Sequence, residues 1–241
     1  MKIRQIILPL LAIAGLAALP LLAKAQSLAN SGDSSSTAAL PASTAHPQPD
    51  LTYVRPTQKT RLHNYFFDTF GPYPIVGAAF AAGINQAEST PPEWKQGAEA
   101  YGKRFASNFV IAGVSTTTRY ALAEALHEDT LYYRCECKGA FPRLGHAVIS
   151  TFTSRRGDDG HRVFSFPALV APYAGTMTAV YAWYPGRYNA MDGFRMGNYS
   201  LLGYVGGNIA LEFLYSGPHS WLSRMHLNNG HGAQPNPGSN P

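Results

Sequence analysis

Residues 91–128 read PPEWKQGAEAYGKRFASNFVIAGVSTTTRYALAEALHE. This run decides the fold class, because its period is helical and its opening has the chemistry of a helix start. Thr90 can cap, Pro91 and Pro92 suit a first turn, and Glu93 favours the positive end of the helix dipole. Trp94, Tyr101, Phe105 and Phe109 fall on neighbouring parts of one face, while Lys95, Glu99 and Lys103 form i,i+4 charge pairs on another. Continued to Glu128 the helix would be about 54 Å long at the standard rise. A bend is therefore expected near Gly113 to Thr118, where glycine and β-branched residues weaken a helix.

The same three- and four-residue spacing recurs along the chain, period-2 alternation is missing, and Pro/Gly clusters cut the pattern into helical lengths. Helices are expected near Thr60 to Phe70, Pro74 to Ala87, Pro92 to Glu128, Pro142 to Ser154, Ser165 to Tyr184 and Ala190 to Tyr215, with a short one near Pro218 to Met225. The expected fold is all-α, a single bundle of about six helices. Gly77, Gly83, Gly97, Gly102, Gly203, Gly206 and Gly207 lie in helical patterns, where each costs up to about 1 kcal/mol against alanine. Close approach of helix backbones is the expected compensation.

Outside this core the composition changes. Lys2 and Arg4 precede an apolar run from Ile6 to Ala23, and Ala23-Lys24-Ala25 is a small-x-small cleavage pattern, so residues 1–25 are expected to be a secretory signal peptide. Residues 26–55, rich in Ser, Ala, Thr and Pro, are expected to be a disordered linker. Residues 56–227 form the expected helical domain and 228–241 a disordered tail, with His231 solvated. The whole chain has 19 basic and 14 acidic residues, net +5. Losing Lys2, Arg4 and Lys24 leaves 16 against 14, net +2, and no basic stripe with interleaved aromatics, so nucleic acid is not an expected partner.

Val163 to Gly186 contains no charged residue and is long enough to span a hydrocarbon core, with Tyr181, Trp183 and Tyr184 placed as an aromatic belt. Pro167, Pro172 and Gly175 interrupt it. Two readings follow: a buried helix of the bundle, or a segment lodged in or on a membrane.

Chemistry concentrates in HEDTLYYRCECKG, residues 127–139. Glu124, His127, Asp129 and His146 are the candidate catalytic residues, since His127 with Glu124 is an i,i+3 pair suited to a carboxylate-oriented base. His127 and His146 are the candidate metal ligands. The alternative, and the preferred one, is a structural lock in which Arg134 pairs with Glu128 or Asp129. Cys135 and Cys137 admit a local or intermolecular disulfide, a metal site, or no defined role; their spacing is not that of a known zinc motif. No G-x-S-x-G, H-E-x-x-H, Walker or dinucleotide motif occurs. The sequence names no cofactor and no oligomeric state.

Glu93-Trp94-Lys95-Gln96-Gly97, Tyr101-Gly102-Lys103-Arg104-Phe105, His127-Glu128-Asp129 with Tyr132-Tyr133-Arg134, and Arg143-Leu144-Gly145-His146-Ala147 resemble, in that order, a family of small exported bacterial proteins of uncharacterised function. The resemblance covers about Thr60 to Tyr215 and implies a shared helical fold without a mechanism. Thr130 stands where that family commonly has proline, and the Cys135-Glu136-Cys137 stretch is not one of its features. The leading expectation is an exported, noncatalytic helical protein of the periplasm or cell envelope, associated with a lipid surface or envelope component. The alternative is a metal-dependent or acid-base hydrolase acting on an envelope lipid or glycan.

Overall fold

The computed structural model describes residues 53–135, 137–214, 224, 225 and 231, all within the compact unit His46–Pro241. The expected signal peptide, most of the linker and tail, and most of the short Pro218 to Met225 helix lie outside the described residues.

Helix α1 (Gln58–Phe70) is capped by Thr57, whose hydroxyl accepts from the Thr60 amide at 3.3 Å. Gly71 separates it from α2 (Pro72–Ala87), which opens on proline as a first turn permits. The next helix starts later than its prolines suggest. Pro92–Trp94 form one 3-10 turn, Lys95 (φ 59°) and Gly97 (φ 108°) reverse the chain, and α3 runs over Ala98–Ala125. Arg104, fully buried in α3, holds that reversal together. Its guanidinium donates to the carbonyls of Thr90 (2.7 Å), Pro91 (3.0 Å) and Lys95 (3.1 Å) and to the Gln86 side chain (2.6 Å). The helix is continuous across Gly113 to Thr118, where Thr117 and Thr118 bond back to the carbonyls of Gly113 and Val114.

After α3 come β1 (Glu128–Asp129), α4 (Ala140–Phe152), β2 (Thr153–Arg156), β3 (His161–Phe164), α5 (Phe166–Ala182) and α6 (Ala190–Leu214). The strands form an antiparallel sheet in the order β1-β2-β3, pairing Glu128 with Arg156 and Asp129 with Arg155, then Thr153 with Phe164 and Arg155 with Arg162. The fold is thus mostly α, and the sheet corrects the all-α expectation. Residues 155–162 are the facing ends of β2 and β3 and the turn between them, with Gly157 (φ 70°) and Gly160 (φ 65°) in the left-handed region.

The core centres on α5, which buries Ala168, Ala171, Pro172, Gly175, Thr176, Ala179 and Val180 against α3 and α6. Of the two readings of Val163 to Gly186, its helix follows the buried one. Close helix packing is real, but the glycines that permit it are others than those expected. A methyl on Gly175 would collide with Ser115 Oγ and the Ile111 carbonyl, on Gly193 with Met177, and on Gly197 with the Tyr173 ring. Gly77, Gly83, Gly97, Gly102, Gly203, Gly206 and Gly207 meet nothing within 4 Å. Among the described residues no helix is long and apolar enough to cross a membrane.

Candidate functional site

Strand β2 sorts its side chains by alternation. Ser154 and Arg156 turn to Glu128, which is 2% exposed and accepts from Ser154 Oγ (2.6 Å), Arg156 Nη2 (2.6 Å) and Ser165 Oγ (2.7 Å). Across the sheet from Arg155, Asp129 accepts from the hydroxyls of Tyr53 (2.8 Å) and Tyr133 (2.6 Å) and from the Leu131 amide (2.9 Å). The Arg155 guanidinium lies 5.2 Å and 5.1 Å from the centroids of those two tyrosine rings. Burial, then the Asp129 charge, pushes both phenols well above their ordinary range, so both remain donors.

A third carboxylate, Glu212 of α6, is fully buried. It accepts from Tyr132 OH (2.6 Å), Arg143 Nε (2.8 Å) and the Cys135 amide (3.1 Å), and Arg143 Nη2 donates to its backbone carbonyl. Burial and the Glu212 charge together raise the Tyr132 phenol. Next to this group, His146 Nδ1 lies 3.5 Å from Tyr132 OH and 3.8 Å from Glu212 Oε2. Its Nε2 lies 2.9 Å from Arg162 Nη2 and 3.3 Å from Ser150 Oγ. A guanidinium only donates, so Nε2 accepts and the proton of the neutral ring sits on Nδ1, facing Glu212. Burial, then the Arg162 and Arg155 charges, lower the imidazole below its ordinary 6.5 against the pull of Glu212. A neutral imidazole backed by a carboxylate can serve as a general base. Here the Nε2 lone pair is engaged by Arg162, and the arrangement works as a lock.

A fourth acid, the partly buried Asp68 of α1, has partners of its own. It accepts from Tyr120 OH (2.6 Å) and His231 Nε2 (2.9 Å), while His231 Nδ1 accepts from the Tyr132 amide (3.2 Å). Since an amide only donates, the His231 proton is on Nε2. Burial raises Asp68, but His231, Tyr120 and Arg119 outweigh it and hold the carboxyl below its ordinary range. His231, expected in a solvated tail, is 8% exposed.

The candidate catalytic residues do not converge. Glu124 is exposed and pairs with Arg61 at 2.9 Å. His127 is exposed, takes a left-handed φ of 55° just beyond the α3 C-terminus, and lies 3.2 Å from Arg55 through Nδ1. Asp129 and His146 belong to different groups, Asp129 with Tyr53 and Tyr133 and His146 beside Glu212. His127 and His146 have different partners, and among the described residues no group of three or more His, Cys, Asp or Glu could hold a metal ion. Of the readings of the cysteines, the structure has the local disulfide, Cys135 to Cys137. The lock around Glu128 is closed by Arg156.

Glu212 and Arg143 were not singled out by their chemistry, although a signal existed. Glu212 is the one charged residue between Arg195 and Leu214, and a lone carboxylate in an apolar helix requires a partner. Beside these locks Tyr132, Ser150, Thr153, Ser154, Arg155 and Arg162 line a shallow polar cleft little larger than a water. No family model, no curated protein and no solved structure matches this chain.

Proposed function

We propose that this protein is a noncatalytic helical domain of the cell envelope that lies on a lipid surface by its exposed apolar helix faces. The observation that carries the reading is α2. It has no charged residue, and it seals Ala78 and Ala82 inward while leaving Ile75 (45%), Val76 (67%), Phe80 (72%) and Ile84 (45%) exposed. Leu62, Phe66 and Phe70 continue the exposure along α1 at i, i+4, i+8, and Phe194, Leu202 and Leu214 do so on α6. Apolar faces of this kind are buried by seating them about 5–10 Å into the headgroup boundary. The buried carboxylates support the noncatalytic part, because each is matched by donors of its own fold. Export rests on residues 1–25 acting as a signal peptide.

The test is flotation of the mature chain with phosphatidylethanolamine–phosphatidylglycerol vesicles. Wild type is expected to float and the double variant Val76→Glu, Phe80→Glu to stay at the bottom while melting like wild type. A wild-type chain that does not float overturns the reading.

A further inference from the structure

The disulfide between Cys135 and Cys137 joins residues two apart, the only cysteines of the chain. A cross-link stabilises a fold mainly by restricting the unfolded chain, and the restriction grows with the loop it closes. Here the loop is minimal, and the long-range ties at this point are made by Glu212 with Tyr132, Arg143 and the Cys135 amide. The bond adds little to stability, so its use lies in its chemistry. We infer that Cys135–Cys137 is a thiol–disulfide exchange site that oxidises a pair of thiols, those of a polypeptide laid along Phe141 and the start of α4.

The two sulfurs are placed differently. Cys135 is half-buried, its amide anchored at 3.1 Å on the buried Glu212, whereas Cys137 opens a run, 137–142, in which every residue is exposed. An incoming thiolate thus reaches Cys137 Sγ. The leaving sulfur is then Cys135 Sγ, to which the Cys137 amide already donates at 3.1 Å, a hydrogen bond that strengthens as negative charge develops there. Cys137 itself lies two residues before Gly139, the N-cap of α4, and beside the exposed Lys138. That helix has no side-chain cap and no acid in its first turn. Dipole and ammonium both favour a thiolate on Cys137 when it leaves in its turn.

The exchange balances in two steps. A substrate thiolate bonds to Cys137 Sγ while the Cys135–Cys137 bond breaks, and Cys135 Sγ takes the electron pair. The second substrate thiolate attacks the substrate sulfur of this mixed disulfide, and Cys137 Sγ leaves with its pair. The two protons given up by the substrate thiols end on Cys135 and Cys137. The substrate is oxidised to a disulfide and the chain reduced to a dithiol, one for one and without turnover, so the site goes beyond the membrane reading and does not depend on it.

The thiols can belong to a polypeptide or to a small molecule. Phe141, 87% exposed and four residues after Cys137, begins an apolar row that Leu144 and Val148 continue at i+3 and i+7. That row offers contact to apolar residues flanking a cysteine, and glutathione has none.

The test uses the purified, oxidised chain without lipid. An excess of a reduced peptide with two cysteines among apolar residues is compared with reduced glutathione at equal thiolate concentration, and mass and thiol titre follow both partners. One peptide disulfide is expected per chain, with two thiols appearing on the chain and its melt almost unmoved. The double variant Cys135→Ser, Cys137→Ser should form none. Phe141→Ser should slow the peptide about fivefold, from the loss of one partly buried apolar contact, and leave glutathione unchanged. A peptide rate that does not exceed that of glutathione, or that Phe141→Ser leaves unchanged, overturns the polypeptide as substrate. A bond closed to both thiols until denaturant unfolds the chain overturns the site, as do two titratable thiols persisting after treatment with oxidised glutathione.

Discussion

Around the three-stranded sheet Glu128, Asp129 and Glu212 are 4% exposed or less and fully ringed by donors, whereas along α2 Val76 and Phe80 stand 67% and 72% exposed with no charge in the helix. The usual distribution of polar and apolar side chains is inverted between these regions. A buried carboxylate is tolerated only with its partners in place, so the sheet region fixes one arrangement and has little room for another. An exposed apolar face specifies nothing by itself and gains free energy only when something covers it. Stability and function are therefore expected to respond to different residues.

The largest stability effect should come from breaking the polar side. Glu212→Ala leaves Arg143 and the Tyr132 hydroxyl without their acceptor and is expected to cost about 3–5 kcal/mol, read by denaturant unfolding. A loss under about 1 kcal/mol would mean that Glu212 is not the keystone of its group. Gly175→Ala should follow, destabilising by about 1–3 kcal/mol through overpacking against Ser115 and Ile111, whereas Gly77→Ala, facing open space, should stabilise by about 0.5–1 kcal/mol. Opposite signs for one substitution in two helices would confirm which glycines carry the packing.

A smaller effect is expected from pH. His146 takes up its proton at lower pH in the folded chain than in the unfolded one, so its contribution is complete above about 6.5 and is lost as pH falls below that value. The denaturation midpoint should fall between pH 7 and pH 5, and His146→Gln should flatten that slope. Asp68 adds a second loss below its ordinary 3.8, because its carboxyl too is depressed in the fold. The smallest stability change belongs to the apolar side: Phe80→Glu should alter the melt by no more than about 0.5 kcal/mol, as surface substitutions do. A large loss there would mean that Phe80 belongs to the core.

Much of the helical frame was legible in the sequence because proline and glycine punctuate it. Phe70, Ala87 and Ala190 were placed at the ends of α1 and α2 and the start of α6, where they are. The strands were not legible. Thr153-Ser154-Arg155-Arg156 alternates by partner rather than by hydrophobicity, so a search for apolar period-2 order passes over it. Glycine was misread for a related reason: helical spacing shows that a residue is in a helix, but only tertiary structure shows whether it faces a neighbour, as Gly175 does and Gly203 does not. At the site, His127 and Glu124 stood out because they adjoin other polar residues, yet neighbours in the chain are not their partners in the fold: they pair with Arg55 and Arg61, 72 and 63 residues away. The charge with the most demanding environment, Glu212, is surrounded in sequence by neutral neighbours.

The hydrogen bond between Asp68 and His231 joins positions 163 residues apart, and through the Tyr132 amide it ties the start, middle and end of the domain. It sets an order of events. While the chain is being made, α1 and the Tyr132 segment exist long before residue 231, and the partly buried carboxylate of Asp68 must wait for its imidazole partner. Contacts of such separation form late because their loop must close first. The domain thus reaches its final packing only after residue 231 has joined the two segments made long before it.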